Sequence, residues 1–130
     1  MEEDKVLYKI LKIIYSTLLK TLYRPKVYGL ENIPEDGPVI FVGNHRHAFD
    51  PILVIMSTKR IVHFLAKKEL FKGILGKFLT NVGIISVDRK KSNPGAVNMA
   101  LNILKQDGTI GIFPEGTRNK GGPVKEFKPG

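Results

Sequence analysis

The sequence predicts an α/β fold: a mainly parallel central sheet flanked by helices, preceded by an amphipathic N-terminal helix. Short apolar runs rich in β-branched residues recur at residues 39–43, 61–66, 84–87 and 109–113. Stretches of helical character separate them, at Asp50–Ser57, residues 69–80 and Pro94–Lys105. Strands alternating with helices imply parallel pairing. A length of 130 residues suits one domain, and an apolar content of 42% lies in the globular range.

Residues 6–23 open the chain's structure. Lys5, Lys9, Lys12, Ser16 and Lys20 recur every three to four positions and form one polar stripe. Nearly everything else there is aliphatic or Tyr, so the apolar face is wide. Glu2, Glu3 and Asp4 precede the helix and favour its positive end, while Arg24 and Pro25 close it. Three placements are open: in the lipid interface, on the domain core, or across a membrane. Spanning asks for about 20 mostly uncharged residues, and the lysines make it costly. A basic amphipathic helix lying in the interface fits the pattern best.

The run at 39–43 reads as a buried strand. Asp50 is expected as the N-cap of the next helix, with Pro51 at its first position. Gly73 and Gly76 interrupt the helix expected over 69–80. In Pro94–Lys105 the spacing sets Val97, Leu101 and Leu104 on one face, and Asp107-Gly108 turns the chain into the last strand, which Pro114 stops. Gly, Pro and Lys dominate from Pro114 onward, so the tail is loop-like. No repeat, low-complexity tract or internal linker interrupts the chain.

Lys and Arg number 21 against 12 Asp and Glu, a net charge of +9. That excess asks for an anionic partner: a nucleic acid, an acidic membrane or a phosphorylated substrate. Without Trp and without basic clusters interleaved with aromatics, nucleic acid is disfavoured. The absence of Cys excludes disulfides, thiolate catalysis and Cys-ligated metal.

Three segments could carry chemistry. The first is Asn44-His45-Arg46-His47-Ala48-Phe49-Asp50-Pro51, between a strand and a helix. Ligands of α/β sheets bind at the carboxyl ends of strands. A reversal over five residues could bring the Asp50 carboxylate to the His45 imidazole, making a general base with a fixed tautomer. The plainer alternative is a turn histidine beside an ordinary helix cap. A third reading makes His45, His47 and Asp50 metal ligands. No Gly-x-Ser-x-Gly is present, so a base here would deprotonate an acceptor directly.

The second segment is Phe113-Pro114-Glu115-Gly116-Thr117-Arg118. Arg118 can bind phosphate bidentately, Gly116 permits close backbone approach, and Glu115 suits Arg118 or a substrate hydroxyl. The third is Gly83-Ile84-Ile85-Ser86-Val87-Asp88-Arg89, followed by Lys90 and Lys91. It reads either as an anion site or as a solvated charge run. All three lie at strand ends, which a parallel sheet gathers on one rim.

At these residues the chain resembles the lysophosphatidic acid acyltransferases, the 1-acylglycerol-3-phosphate O-acyltransferases. That family carries Asn-His-x4-Asp, Gly-x5-Arg and Phe-Pro-Glu-Gly-Thr-Arg, matched here by Asn44-His45 to Asp50, Gly83 to Arg89 and Phe113 to Arg118. Phe127-Lys128-Pro129-Gly130 resembles its Phe-Lys-x-Gly. The resemblance runs from about Tyr28 to Gly130.

It implies a glycerolipid acyltransferase-like fold, with residues 1–25 as a membrane-interface helix and 26–130 as an acyltransferase domain incomplete at its C-terminus. His45 would be the general base and Asp50 its orienting partner. Arg89, Glu115, Gly116, Thr117 and Arg118 would hold the glycerol phosphate of a lysophospholipid acceptor. Acyl-CoA or acyl carrier protein would be co-substrate, with no metal or prosthetic group, at the cytoplasmic face of an anionic membrane. The product would be phosphatidic acid. A non-catalytic lipid-phosphate binding fragment, or acylation of another glycerolipid, are the alternatives.

Overall fold

The computed structural model describes residues 5–46, 50–88, 90–113, 123 and 126. The order is α1 (Lys5–Leu22), a 3-10 turn at Leu30–Asn32, β1 (Val39–Val42), α2 (Asp50–Ser57) and β2 (Val62–Lys67). A second 3-10 turn (Lys68–Leu70), α3 (Gly73–Asn81), β3 (Ile85–Val87), α4 (Pro94–Lys105) and β4 (Thr109–Ile112) follow. The strands form one sheet in the order β1-β4-β2-β3, and every pairing is parallel. The expected α/β fold is therefore present, and each expected strand forms with its ends displaced by a residue at most; the burial expected of the first is corrected, because β1 lies at the sheet edge with Ile40 and Val42 exposed.

The expected helix over 69–80 divides in two. Lys72 is extended and Gly73 begins α3 with φ of +60°. Gly76 then lets α3 settle on the Phe71 backbone, where a Cβ would collide. Close approach, rather than helix breaking, is what this glycine provides.

The face expected on α4 is corrected. Val97 and Leu101 are 45% and 47% exposed. Ala96, Met99, Ala100, Ile103 and Leu104 pack instead with Ile85, Ile110, Leu65, Val87 and Ile112. Both stripes satisfy helical spacing. The small side chains of Ala96 and Ala100 allow the helix to lie closer to the strands than Val97 and Leu101 would.

The strand starts are tied together by Arg60. Its Nε donates to Thr109 Oγ1 at 2.6 Å, and its terminal nitrogens donate to Pro34 O at 2.9 Å, Asp107 O at 2.8 Å and Gly37 O. Gly37 and Asp107 both adopt positive φ. One guanidinium, placed just before β2, thus fastens the approaches to β1 and β4. Its planar fork of five donors suits this task in a way an ammonium does not.

Helix α1 packs against α2 with Tyr8 and Leu19 buried, and Lys12 donates to Thr58 O. The fully buried Val62 N–H donates to Tyr8 Oη at 2.9 Å. Burial pushes the Tyr8 phenol up to about 12, and lowers the Lys12 ammonium, with Lys20 adding repulsion. The aliphatic side chains Val6, Ile10, Ile13, Ile14, Leu18 and Leu22 are exposed on the outward side. No helix among the described residues is long and apolar enough to cross a membrane.

Replacing Arg60 by Met should strand Thr109 Oγ1 and the carbonyls it serves, lowering stability by about 2–3 kcal/mol in a urea titration. An unchanged midpoint would contradict the fastening role. Tyr8 gives a pH signature. Below pH 10 the phenol is neutral whether folded or not. Between its ordinary value near 10 and about 12 only the unfolded chain ionises, so stability should fall as pH rises through that window. Tyr8→Phe should abolish this alkaline component, while at neutral pH costing about 1–3 kcal/mol for the stranded Val62 N–H.

Candidate active site

Parallel strands bring their carboxyl ends to one rim, where the chain leaves β1 for α2. The β1–β4 ladder extends one step further, with Gly43 N donating to Ile112 O at 3.2 Å. That bond sets the direction in which the following residues depart. Two residues on, His45 Nδ1 lies 3.0 Å from Asp50 Oδ2. The same Oδ2 accepts from Arg46 N. Asp50 is the first residue of α2, and its carboxylate turns back onto the loop that precedes it.

The carboxylate can only accept, so Nδ1 carries the hydrogen and Nε2 keeps its lone pair. The two side chains are 19% and 17% accessible, enough shielding to strengthen their interaction while leaving an approach open. A proton arriving at Nε2 would be stabilised by the neighbouring negative charge.

The imidazole is also held from beneath. It stacks on Phe113, with centroids 4.4 Å apart and planes inclined by 24°. Phe113 stacks in turn on Phe64, at 5.7 Å and 11°. Phe64 pairs across the sheet with Gly111, and a Cβ on Gly111 would strike the Phe64 ring. Side chains alternate along strands, so this column rises on the face opposite Ile110 and α4. Neither Phe64 nor Gly111 was anticipated as support for the site. The available signal was a glycine inside a strand, which commonly marks a close approach.

A second group of contacts orders the end of β3. Asp88 Oδ2 binds Lys68 Nζ at 2.9 Å, and Asp88 Oδ1 accepts from Lys90 N at 2.9 Å. These bonds hold the Asp88 carboxyl below its usual range, the Lys68 contact contributing most, and raise Lys68. Asn93 accepts from Asp88 N at 2.7 Å and donates to Asp88 O and Lys91 O. The solvated charge run is thus partly an ordered loop. Arg89, which it flanks, lies outside the described residues, as do His47, Glu115, Gly116, Thr117 and Arg118.

Among the described residues, no three His, Asp or Glu side chains converge as metal ligands. The remaining histidine, His63, is buried and its Nδ1 donates to Gly83 O at 2.8 Å, joining β2 to the turn before β3. The register places it on the α4 face of the sheet, away from the His45 column.

A histidine–carboxylate pair at the carboxyl rim of a parallel sheet has the geometry that general-base chemistry requires. Residues 24–130 match the Acyltransferase family, and the chain belongs to it. It is 39% identical over 107 residues to a 1-acyl-sn-glycerol-3-phosphate acyltransferase of Borreliella burgdorferi, covering 80% of this chain and 43% of that protein. The enzyme of the same name from Bacillus subtilis is 36% identical over 95 residues, 72% of this chain and 48% of that one. Among solved structures, the 1-acyl-sn-glycerophosphate (LPA) acyltransferase PlsC from Thermotoga maritima aligns with a TM-score of 0.72 at 30% identity, over 93% of this chain and 49% of that one. The chain therefore spans about half the length of these relatives.

Substituting Gly111 by Ala should displace Phe64 and propagate to the imidazole. A loss of about 1–3 kcal/mol is expected from overpacking. In NMR spectra the His45 ring protons should move as the Phe113 ring current changes. Native His45 shifts in a destabilised variant would show that the column does not position the histidine.

Proposed function

We propose that the chain carries the catalytic centre of an acyltransferase that converts 1-acylglycerol 3-phosphate to phosphatidic acid, with acyl-CoA or acyl carrier protein as donor. The observation that carries this reading is the His45–Asp50 pair, 3.0 Å apart at the carboxyl rim. Membership of the Acyltransferase family and the names of the relatives support the substrate class.

The acceptor's free hydroxyl gives its proton to His45 Nε2 as its oxygen attacks the thioester carbonyl. Asp50 holds the ring and stabilises the imidazolium. The tetrahedral intermediate collapses with departure of the thiolate, which recovers the proton from His45. No enzyme nucleophile enters, in keeping with a chain that has no Cys and no nucleophile elbow. Arg89 and Arg118 are assigned to the acceptor phosphate, with Glu115, Gly116 and Thr117 around its glycerol. No metal or prosthetic group has a part in this scheme.

The outward aliphatic side of α1, edged by Lys9 and Lys20, suits burial in an anionic lipid interface, with the site on the cytoplasmic side where such donors occur. Residues 1–25 would then anchor the acyltransferase domain of 26–130. Because the chain spans about half of its relatives, a lipid-phosphate binding piece without turnover is the second reading.

Acyl transfer to lysophosphatidate, measured with each donor on anionic vesicles, separates the two. His45→Ala and Asp50→Asn should each lower turnover by roughly 10²–10⁴-fold with folding retained. Turnover equal to the unsubstituted chain in either variant would sink the general-base mechanism. Vesicle binding with no product from the unsubstituted chain would favour the binding piece.

A further inference from the structure

We propose that the corner made by the Lys68–Leu70 turn and α3 is a second contact with an anionic lipid surface, separate from α1. The inference rests on the interfacial reading of α1 and extends it to the rim that carries His45.

The corner has the composition of an interfacial anchor. Ile74 is 88% exposed, and Leu70 and Leu75 beside it are also exposed. Scattered apolar side chains on a surface need no explanation, but three at one projecting corner do. They are not loosely placed. Gly76, two residues further along and therefore on the opposite side of the helix, is buried against the Phe71 backbone, which pins the inner side of α3 and turns Ile74 outward. Lys77 lies one turn from Ile74 on the same side of the helix.

Charge identifies the occupant. Exposed Lys67, Lys68, Lys72 and Lys77 are interspersed with the three apolar side chains along residues 67–77, where Glu69 is the one acidic residue, while Lys68 is paired with Asp88. The Lys68–Asp88 bond joins this group to exposed Lys90 and Lys91 at the end of β3. A second copy of the chain would oppose lysine to lysine across the contact. A bilayer containing anionic lipid supplies hydrocarbon for the apolar tip and negative headgroups for the lysines interspersed with it.

Position gives the contact a purpose. The corner leaves β2 directly, and β2 supplies Phe64 to the column beneath His45. All four strands are parallel, so the corner and His45 share the carboxyl rim. Seating the corner in the headgroup layer brings the base to the depth at which a lysophospholipid presents its hydroxyl.

The absence of Trp makes the test direct. Ile74→Trp and Ile13→Trp each create a single fluorescent reporter, one at the corner and one on α1. Val97→Trp on the outer side of α4 is the water-facing control. With phosphatidylcholine vesicles containing phosphatidate, the reporter at 74 should shift to the blue and be quenched by brominated lipid. Pure phosphatidylcholine should produce neither response. Ile74→Asp should weaken binding to the mixed vesicles roughly tenfold or more. A reporter at 74 that stays water-like while the one at 13 responds would overturn the proposal. So would a blue shift at 74 before vesicles are added, because protein would then cover the corner. Response at 74 without response at 13 would uphold the corner and overturn the reading of α1.

Discussion

Everything at the carboxyl rim depends on how the strands are held at their other end. Arg60 gathers Pro34 O, Gly37 O, Asp107 O and Thr109 Oγ1 around one guanidinium. Parallel strands have no tight hairpins to fix their relative stagger, so register must come from packing and from contacts of this kind. Here the stagger of β1, β4 and β2 is set where their chains enter the sheet. It emerges at the far end as the relative heights of His45, Phe113 and Phe64. A slip of one residue would send every side chain of a strand to the opposite face, and the aromatic column would have no base.

The column explains why the histidine needs more than its carboxylate. Asp50 fixes the direction of the Nδ1 bond, but a single hydrogen bond leaves the ring free to tilt about it. Stacking on Phe113 removes that freedom, and Phe64 over Gly111 gives Phe113 a rigid seat. Together the two restraints fix where Nε2 points. The hydrophobic core and the candidate base are thereby one mechanical unit.

Much of this was legible in the sequence, and the failures have physical causes. The alternation of β-rich runs with helical stretches gave the strands to within a residue, because strands of a parallel sheet are short apolar, β-branched runs; the exposure of β1 was not legible, since its place at the sheet edge is a matter of tertiary packing. The five-residue interval from His45 to Asp50 was legible because a strand–loop–helix junction reverses the chain over about that distance. The packed face of α4 was not, since Val97-Leu101 and Ala96-Ala100 share one spacing and only proximity to the sheet separates them. The place of β4 between β1 and β2 was equally hidden, because spatial order is a matter of tertiary packing that no local pattern encodes. The phosphate-binding roles expected of Arg89 and of Glu115 to Arg118 fall outside the described residues.

The sheet order has a consequence for how the protein is made. Among the described residues β1 pairs only with β4, Val39 against Thr109 and Val42 against Ile112. On the ribosome, therefore, the strand that leads to His45 is among the first to emerge and among the last to find its neighbour. Until the segment from Thr109 is synthesised, β1 lacks the strand it pairs with among the described residues, and Phe113 is not there to receive the imidazole. Such distant pairing slows folding and prolongs the life of a half-finished sheet. A nascent chain halted before β4 would hold its histidine and aspartate with no platform beneath them, so the candidate site comes into being only as β4 slots between β1 and β2.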